Sequence, residues 1–185
     1  MAKRSQKHFG NVSDEFNNYW KESGRKVHGG AYAHGKRKTI RPFDSKKPLH
    51  LVLRSSRAKG ETSMSKKQIK IKQIIDLYAK KWGITLYKYS NNGNHLHILL
   101  RAKHKSDFQV FLRTISGVIA RLMLNAKKGQ SQGSFWDTLA FTRIGDWGKA
   151  FKNLSGYVVQ NILEAAGIIA YQSRKYKLVP INSTA

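Results

Sequence analysis

Two alternating segments joined by a short polar turn place the strongest constraint on how this chain can fold. The first, ITLYKYS at 84–90, and the second, HLHILLR at 95–101, alternate apolar with polar residues as half-buried strands do. The turn between them, NNGN at 91–94, is rich in residues that accept the left-handed backbone of tight hairpins. We therefore predict an antiparallel hairpin, on which the rest of a sheet must build.

Further strands and helices surround this hairpin, and their order indicates the fold class. Apolar residues at helical spacing predict helices, and shorter apolar runs predict strands. In chain order these elements are a strand at 49–56, a helix at 65–82, a helix at 106–126, a strand at 135–145 and a helix at 147–167. The order predicts an α+β fold of the ferredoxin-like split β-α-β kind: an antiparallel sheet with helices on one face, plus an additional C-terminal helix.

The two ends of the chain differ from this central unit. Residues 1–47 mix glycine, proline and basic residues without a sustained apolar period, so we expect a partly ordered basic arm with one short helix at 14–26. Residues 48–170 carry the predicted sheet and helices and form one domain, and residues 171–185 form a basic tail.

Charge restricts the partner. The chain has 35 Lys and Arg against 10 Asp and Glu, a net charge of +25, which is more than solubility requires. A surplus of this size indicates a polyanionic partner, and nucleic acid is the commonest one. An anionic membrane surface would favour a basic amphipathic helix, which the sequence lacks, whereas an acidic protein partner stays open.

Some functions are excluded by the residues that are missing. There is no cysteine, so a disulfide scaffold, a cysteine-ligated metal site and thiol catalysis are excluded. No apolar run approaches the roughly 20 residues that span a bilayer, and the N-terminus lacks the apolar core of a signal peptide. We expect a cytoplasmic protein with no membrane partner, associated with the nucleoid.

His95 and His97 are the first candidate functional residues. They lie two residues apart on a predicted strand, so both imidazoles project from the same, open face of the sheet, while Leu96, Ile98 and Leu100 point toward the helices. Two converging neutral imidazoles are good ligands for a divalent metal ion, but a third ligand must come from elsewhere. The alternative is a pair of unrelated surface histidines; a structural zinc site usually needs four Cys or His ligands.

Tyr157 and Asn161 on the last predicted helix are the second candidate pair. They are four residues apart and therefore share one face of the helix. The buried stripe predicted beside them consists of Phe151, Leu154, Val158 and Ile162. A phenol beside an amide oxygen is a plausible pair of nucleophile and metal ligand. The alternative is that Tyr157 is only an amphipathic residue at the rim of the helix.

Together these motifs resemble the HUH single-strand nucleases, and among them the one-tyrosine transposases of the REP-associated, IS200-like kind. The resemblance rests on NHLHILL on the second strand of a hairpin and on YVVQN on a later helix. The segments PLHLVLR, FWDTLAFTRIG and NILEAAGII also stand where that family has similar sequence. The resemblance covers roughly residues 48–170, so that segment is expected to be an HUH-type catalytic domain.

The resemblance also implies a site and a reaction. His95, His97 and Asn161 would hold a divalent metal ion, Mg²⁺ or Mn²⁺. Gln160 is the alternative amide ligand. Tyr157 would attack single-stranded DNA at hairpin or repetitive palindromic sites, forming a 5′-phosphotyrosine that a 3′-hydroxyl later resolves. Whether Tyr157 meets the histidines of its own chain or those of a partner in a homodimer stays open.

Basic runs in the arm, the domain and the tail are candidates for contacts with DNA phosphates. The predicted DNA-binding residues are Lys36, Arg37, Lys38, Arg41, Arg54, Arg57, Lys66, Lys67, Arg174 and Lys175. Tyr171 and Tyr176 are candidates for stacking on unpaired bases. The alternative for each run is an ordinary solvated face.

Two other functions fit part of the sequence. A non-catalytic ferredoxin-like module that binds single-stranded RNA or DNA would explain the charge, the fold and the aromatic residues. It gives no role to the two histidines, Tyr157 and Asn161 together, and it would carry aromatic residues where the histidines stand. A plasmid replication initiator or relaxase would share the chemistry, but usually on a longer chain.

Overall fold

Five strands and three α-helices make up the described part of the chain, residues 26–33, 39–127, 130 and 132–171 of a computed structural model. The strands are β1 (Val27–His28), β2 (Leu49–Arg54), β3 (Thr85–Asn91), β4 (His95–Arg101) and β5 (Phe141–Ile144). The helices are α1 (Gln68–Lys81), α2 (Lys105–Leu124) and α3 (Lys149–Ala165). Short 3₁₀ turns span Gly30–Ala33, Gly60–Thr62 and Met64–Lys67. The helix predicted at 14–26 lies, apart from its last residue, outside the described residues.

The strands form one antiparallel sheet in the order β1-β5-β2-β4-β3. The predicted hairpin is β3 and β4, and the predicted α+β, ferredoxin-like class is confirmed. The predicted arm also contributes to the sheet, because Val27 in β1 pairs with Arg143 in β5. A strand of two residues has no period that a sequence pattern could reveal.

The hydrophobic core lies on one face of this sheet, under α1 and α2. Apolar side chains of the helices pack on alternate residues of β2 and β4, as the period of a strand requires. Its fully buried members include Leu49, Leu51, Ile71, Ile75, Leu96, Ile98, Leu100, Phe111 and Ile115. Burying each such side chain contributes about 1.5–3 kcal/mol. The predicted inward direction of Leu96, Ile98 and Leu100 is therefore confirmed, and it fixes the face that His95 and His97 must take.

The opposite face, which the alternation alone predicts to be open, is covered by α3. The helix packs mainly over β3, where the rings of Phe151 and Tyr87 lie 5.4 Å apart, and Val158 is fully buried. The indole Nε1 of Trp147 donates a hydrogen bond of 2.7 Å to the carbonyl of Lys46, which fixes the start of the helix. An amphipathic helix needs a surface on which to bury its apolar side, and the aromatic end of β3 supplies one.

The rotation of α3 about its axis differs from the predicted one. Ile162, expected in the buried stripe, is 38% exposed, whereas Asn161 is 2% exposed. A polar side chain can take the inward position because its amide group is hydrogen-bonded there. The buried face of the helix therefore runs through Val158 and Asn161, on the side that carries Tyr157.

The strand predicted at 135–145 is shorter than expected, since only Phe141–Ile144 pair in the sheet. Phe135 is nevertheless buried in the core, and Nε1 of Trp136 donates to the carbonyl of Ser116 on α2 at 2.9 Å. Phe135 and Trp136 lie in an irregular segment before the strand, and their apolar side chains explain why the sequence predicted a longer strand. Among the described residues, no helix has the length and apolar character needed to cross a membrane.

A candidate active site between the sheet and the third helix

The two histidines of β4 project from the face of the sheet that α3 covers. The ring centroids of His95 and His97 lie 4.8 Å apart, with the rings at 84° to each other. His97 is 4% exposed, and His95, at the start of the strand, is half-buried. The carboxamide oxygen of Asn94 lies 2.5 Å from Nδ1 of His95 and orients that ring. The burial of His97 and the contact of His95 with Asn94 therefore restrict the movement of both rings.

A third imidazole, His50 on β2, belongs to this cluster, although it is not among the residues predicted from the sequence. Its Nε2 lies 3.0 Å from Nδ1 of His97, and the two rings meet edge to edge, with centroids 5.2 Å apart and planes 13° apart. Burial lowers the pKa of His50 to about 3, and the positive charge of Arg143 adds to the effect, so the ring is uncharged near neutral pH. The segment PLHLVLR could have revealed this residue, because a histidine between Leu49 and Leu51 on a strand must point away from the core.

Tyr157 reaches the histidine cluster from α3 of the same chain. Its ring lies 5.4 Å from that of His97 and 6.2 Å from that of His50, edge-on in both cases. Such edge-to-face contacts hold an aromatic ring in a defined orientation. The structure therefore brings the predicted tyrosine and the predicted histidines together on one side of the sheet.

Asn161 lies one turn further along α3, against the hairpin turn. Its Nδ2 donates to the carbonyl of Tyr157, and its Oδ1 accepts from Nδ2 of Asn92, both at 2.9 Å. The backbone amide of Asn92 in turn donates to the carbonyl of His95 at 2.9 Å. Nε2 of Gln160 instead donates to Glu164 along the helix at 3.0 Å. Of the two amides, Asn161 is the one that is tied to the histidine strand.

The donor set fits a divalent metal ion. His95 and His97 are close enough to converge, and Oδ1 of Asn161 has a second lone pair beside the one that Asn92 uses. Within the described ranges, no three His, Cys, Asp or Glu side chains are grouped so as to hold a metal ion. Two imidazoles and an amide oxygen would leave coordination positions for water and for phosphate oxygens. The three ligands stay a prediction.

Several of the predicted DNA-contacting residues lie outside the described residues, so the structure does not place them. They are Lys36, Arg37, Lys38, Arg174, Lys175 and the stacking candidate Tyr176. Tyr171, the other stacking candidate, is 77% exposed at the end of the described chain.

The remaining predicted basic residues fall into two groups. Arg41 and Arg57 donate through Nη1 to backbone carbonyls of the segment before β5, at 2.9 and 2.7 Å, and Lys67 donates through Nζ to a carbonyl near the end of α2 at 2.7 Å. Arg54 and Lys66 are exposed and form longer ion pairs, of 3.8 and 3.5 Å. Arg54 lies opposite His95 in the sheet, so it is a cation positioned beside the site.

Comparisons with known proteins bear on the family and the fold of the chain. A family model described as "Transposase IS200 like" matches residues 45–160, a segment that includes His50, His95, His97 and Tyr157. No curated protein matches the chain.

Among solved structures, the chain is similar to a REP-associated tyrosine transposase bound to a REP hairpin. The identity is 11%, the match covers 72% of this chain and 76% of that one, and the TM-score is 0.56. It is also similar to a putative transposase from Deinococcus radiodurans R1, at 18% identity over 68% of this chain and 98% of that one, with a TM-score of 0.42. The first of these shows that the fold is shared.

The family match spans more than half of the chain and contains both the histidine strand and the tyrosine. It confirms the resemblance carried by NHLHILL and YVVQN. On this evidence, the chain belongs to the IS200-like transposase family.

Proposed function

We propose that this transposase cuts and rejoins single-stranded DNA through a covalent intermediate on Tyr157, at hairpin or repetitive palindromic sites. The observation that carries the proposal is the ring of Tyr157, 5.4 Å from that of His97 and held by the same chain. A tyrosine at the solvent-exposed rim of α3 would not contact a buried histidine cluster. Here the phenol instead lies beside the residues best able to hold a metal ion.

In the proposed reaction, Oη of Tyr157 attacks a phosphorus atom of the DNA strand. The bond from phosphorus to the 3′ oxygen breaks, and the phenolic proton passes through solvent to that leaving oxygen. The products are a 5′-phosphotyrosine and a free 3′-hydroxyl. Because the tyrosine ester keeps the energy of the phosphodiester bond, a second 3′-hydroxyl can attack it, release Tyr157 and join new ends.

Residues around Tyr157 supply the position and the charge that this step needs. His95, His97 and Asn161 would hold a Mg²⁺ or Mn²⁺ ion, which would stabilise negative charge on the phosphate oxygens. Arg54 lies next to this point on the sheet and is 69% exposed at its side chain, so it can contact a neighbouring phosphate. The edge-on contacts with His50 and His97 keep the phenol from turning away.

The DNA partner follows from charge and from the relative of known structure. A net charge of +25 favours a polyanion, and the REP-associated transposase with the same fold is bound to a REP hairpin. A non-catalytic recognition module is a weaker interpretation of this geometry. Such a module stacks bases on an exposed sheet, whereas α3 covers the sheet face that holds the histidines.

The decisive experiment looks for the covalent intermediate. Incubated with Mn²⁺ or Mg²⁺ and a labelled single-stranded hairpin from the DNA beside its own gene, the protein should form an adduct that survives denaturation. Tyr157→Phe removes only the hydroxyl, so it should bind the hairpin but form no adduct. Tyr78→Phe is the matched control, because Tyr78 lies on α1, on the opposite face of the sheet from the cluster, and it should form the adduct normally.

Two outcomes would contradict the proposal. An adduct mapped to another tyrosine would overturn the assignment of Tyr157. Cleavage that persists in Tyr157→Phe without any tyrosine adduct would show that water is the nucleophile.

A further inference from the structure

His50 forms a hydrogen bond with His97, and the proposed reaction assigns no role to this bond. The residue lies in the middle of β2, is 6% exposed, and its Nε2 is 3.0 Å from Nδ1 of His97. The residue directly opposite His97 in the sheet is Val52, so His50 reaches His97 diagonally across the strands. The planes of the two rings are nearly parallel, so the two nitrogens face each other edge to edge.

The bond between the two imidazoles can be made in two ways, and they differ in what His97 can do. If Nε2 of His50 donates, Nδ1 of His97 is the acceptor and the proton of a neutral His97 sits on Nε2. His97 then has no lone pair to offer a metal ion. If Nδ1 of His97 donates, its Nε2 carries a lone pair, and that nitrogen can act as a ligand.

We infer that His50 is a positioning residue that accepts a hydrogen bond from Nδ1–H of His97 and so presents Nε2 of His97 as a metal ligand. The inference rests on the proposed function, because it gives His97 the ligand role assigned there. A partner that accepts a hydrogen bond from the second nitrogen of a histidine ligand fixes both its tautomer and its ring orientation. His50 is placed to do both, because its Nε2 faces Nδ1 of His97 nearly in the plane of both rings.

The chemistry of the substrate explains why an imidazole suits this position. Carboxylates commonly fill the same role at metal sites. A carboxylate here would place a negative charge behind the site at which a DNA phosphate must bind. A neutral imidazole accepts the same hydrogen bond without that repulsion, and its ring also lies 6.2 Å from that of Tyr157, at 76° to it.

Two substitutions separate positioning from packing. In His50→Gln, the side-chain oxygen falls close to the place of Nε2 and can accept the same hydrogen bond. In His50→Phe, an aromatic ring of similar shape fills the space but accepts nothing. Thermal unfolding of both variants checks that each is folded.

The first readout is the tautomer of His97, read from the ¹⁵N shifts of its imidazole in the metal-free protein. We expect the Nδ1–H form in the natural protein and in His50→Gln, and a shift toward Nε2–H in His50→Phe. The second readout is Mn²⁺ affinity, measured by electron paramagnetic resonance. We expect a loss of about 10- to 100-fold in His50→Phe and a loss of only a few-fold in His50→Gln.

The inference is overturned by an Nε2–H tautomer of His97 in the natural protein. It is equally overturned if folded His50→Phe binds Mn²⁺ as tightly as the natural protein. Neither measurement involves DNA cleavage. A protein that shows the expected tautomer and Mn²⁺ affinity but never forms a tyrosine adduct would refute the proposed nuclease reaction and leave the role of His50 intact.

Discussion

At the scale of single residues, His95 and His97 stand on one strand but in different surroundings. His97 is 4% exposed and bonded to His50, whereas His95 is half-buried beside Asn94. Removing His97 would leave a buried nitrogen of His50 without its partner, which costs about 1–3 kcal/mol of stability. A loss of activity in His97→Ala would therefore mix a catalytic effect with a folding effect, and His95 offers the cleaner test.

For His95→Ala we expect cleavage to disappear while binding of the single-stranded hairpin stays within a few-fold. One ligand of the metal ion is lost, but phosphate contacts elsewhere supply most of the affinity. Adduct formation and filter binding measure the two effects separately. His104→Ala is the matched control, since His104 is an exposed histidine ahead of α2 with no capping hydrogen bond from its side chain. Equal losses of binding and cleavage in His95→Ala would indicate a recognition role for His95 instead.

At the scale of elements, the turn between β3 and β4 connects the histidine strand to the tyrosine helix. Asn92 in this turn bonds both to Asn161 on α3 and to the backbone of His95. Gly93 follows with φ of +83°, and the backbone amide of Gly93 donates to the side chain of Asn91 at 3.0 Å. The turn therefore sets the distance between Asn161 and the histidines as well as the register of the hairpin.

Gly93→Ala should destabilise the protein by roughly 1–2 kcal/mol, because an L side chain is strained in the left-handed region. The added Cβ would also lie 2.8 Å from Oγ of Ser63, so the turn must shift and adduct formation should fall with it. Gly117→Ala is the control: Gly117 lies inside α2 with open space around it, and alanine there should stabilise the helix by about 0.5–1 kcal/mol. Chemical denaturation measures both changes, and an unchanged stability in Gly93→Ala would contradict this account of the turn.

Elements with a strong local pattern could be predicted from the sequence, and those fixed by long-range packing could not. The hairpin, α1 and α2 could be predicted from the alternation and the helical spacing of their own apolar residues. The position of α3 depends on the aromatic end of β3, and its rotation depends on the hydrogen bonds of Asn161, both of which come from distant sequence. The candidate site divides in the same way. His95, His97 and Tyr157 stand in local motifs and could be proposed from them. The contact of His50 with His97 depends on the register between β2 and β4, which no local motif contains.

At the scale of the whole molecule, one chain supplies every side chain of the candidate site. His50 comes from β2, His95 and His97 from β4, and Tyr157 and Asn161 from α3. The contacts between Tyr157 and the histidine rings are made within this chain. The sequence leaves open whether a tyrosine serves its own histidines or those of a partner, and we expect the first arrangement because Tyr157 contacts the histidine rings of its own chain.

This arrangement predicts that two inactive variants cannot restore each other. Under the proposed mechanism, Tyr157→Phe keeps the histidines but lacks the nucleophile, and His95→Ala keeps the nucleophile but lacks one metal ligand. If each site is built from one chain, a mixture of the two variants contains no complete site and should form no adduct above the sum of its parts. If α3 were exchanged between two chains, about half of the dimers would be mixed, each with one complete site of its two, and about a quarter of the activity would return. The two variants are mixed in equal amounts, incubated long enough for subunits to exchange, and assayed for the adduct with Mn²⁺ and the labelled hairpin. Recovery of the adduct, absent from either variant alone, would show that the active transposase shares its sites between chains and that the packing of α3 on its own histidines is not the catalytic arrangement.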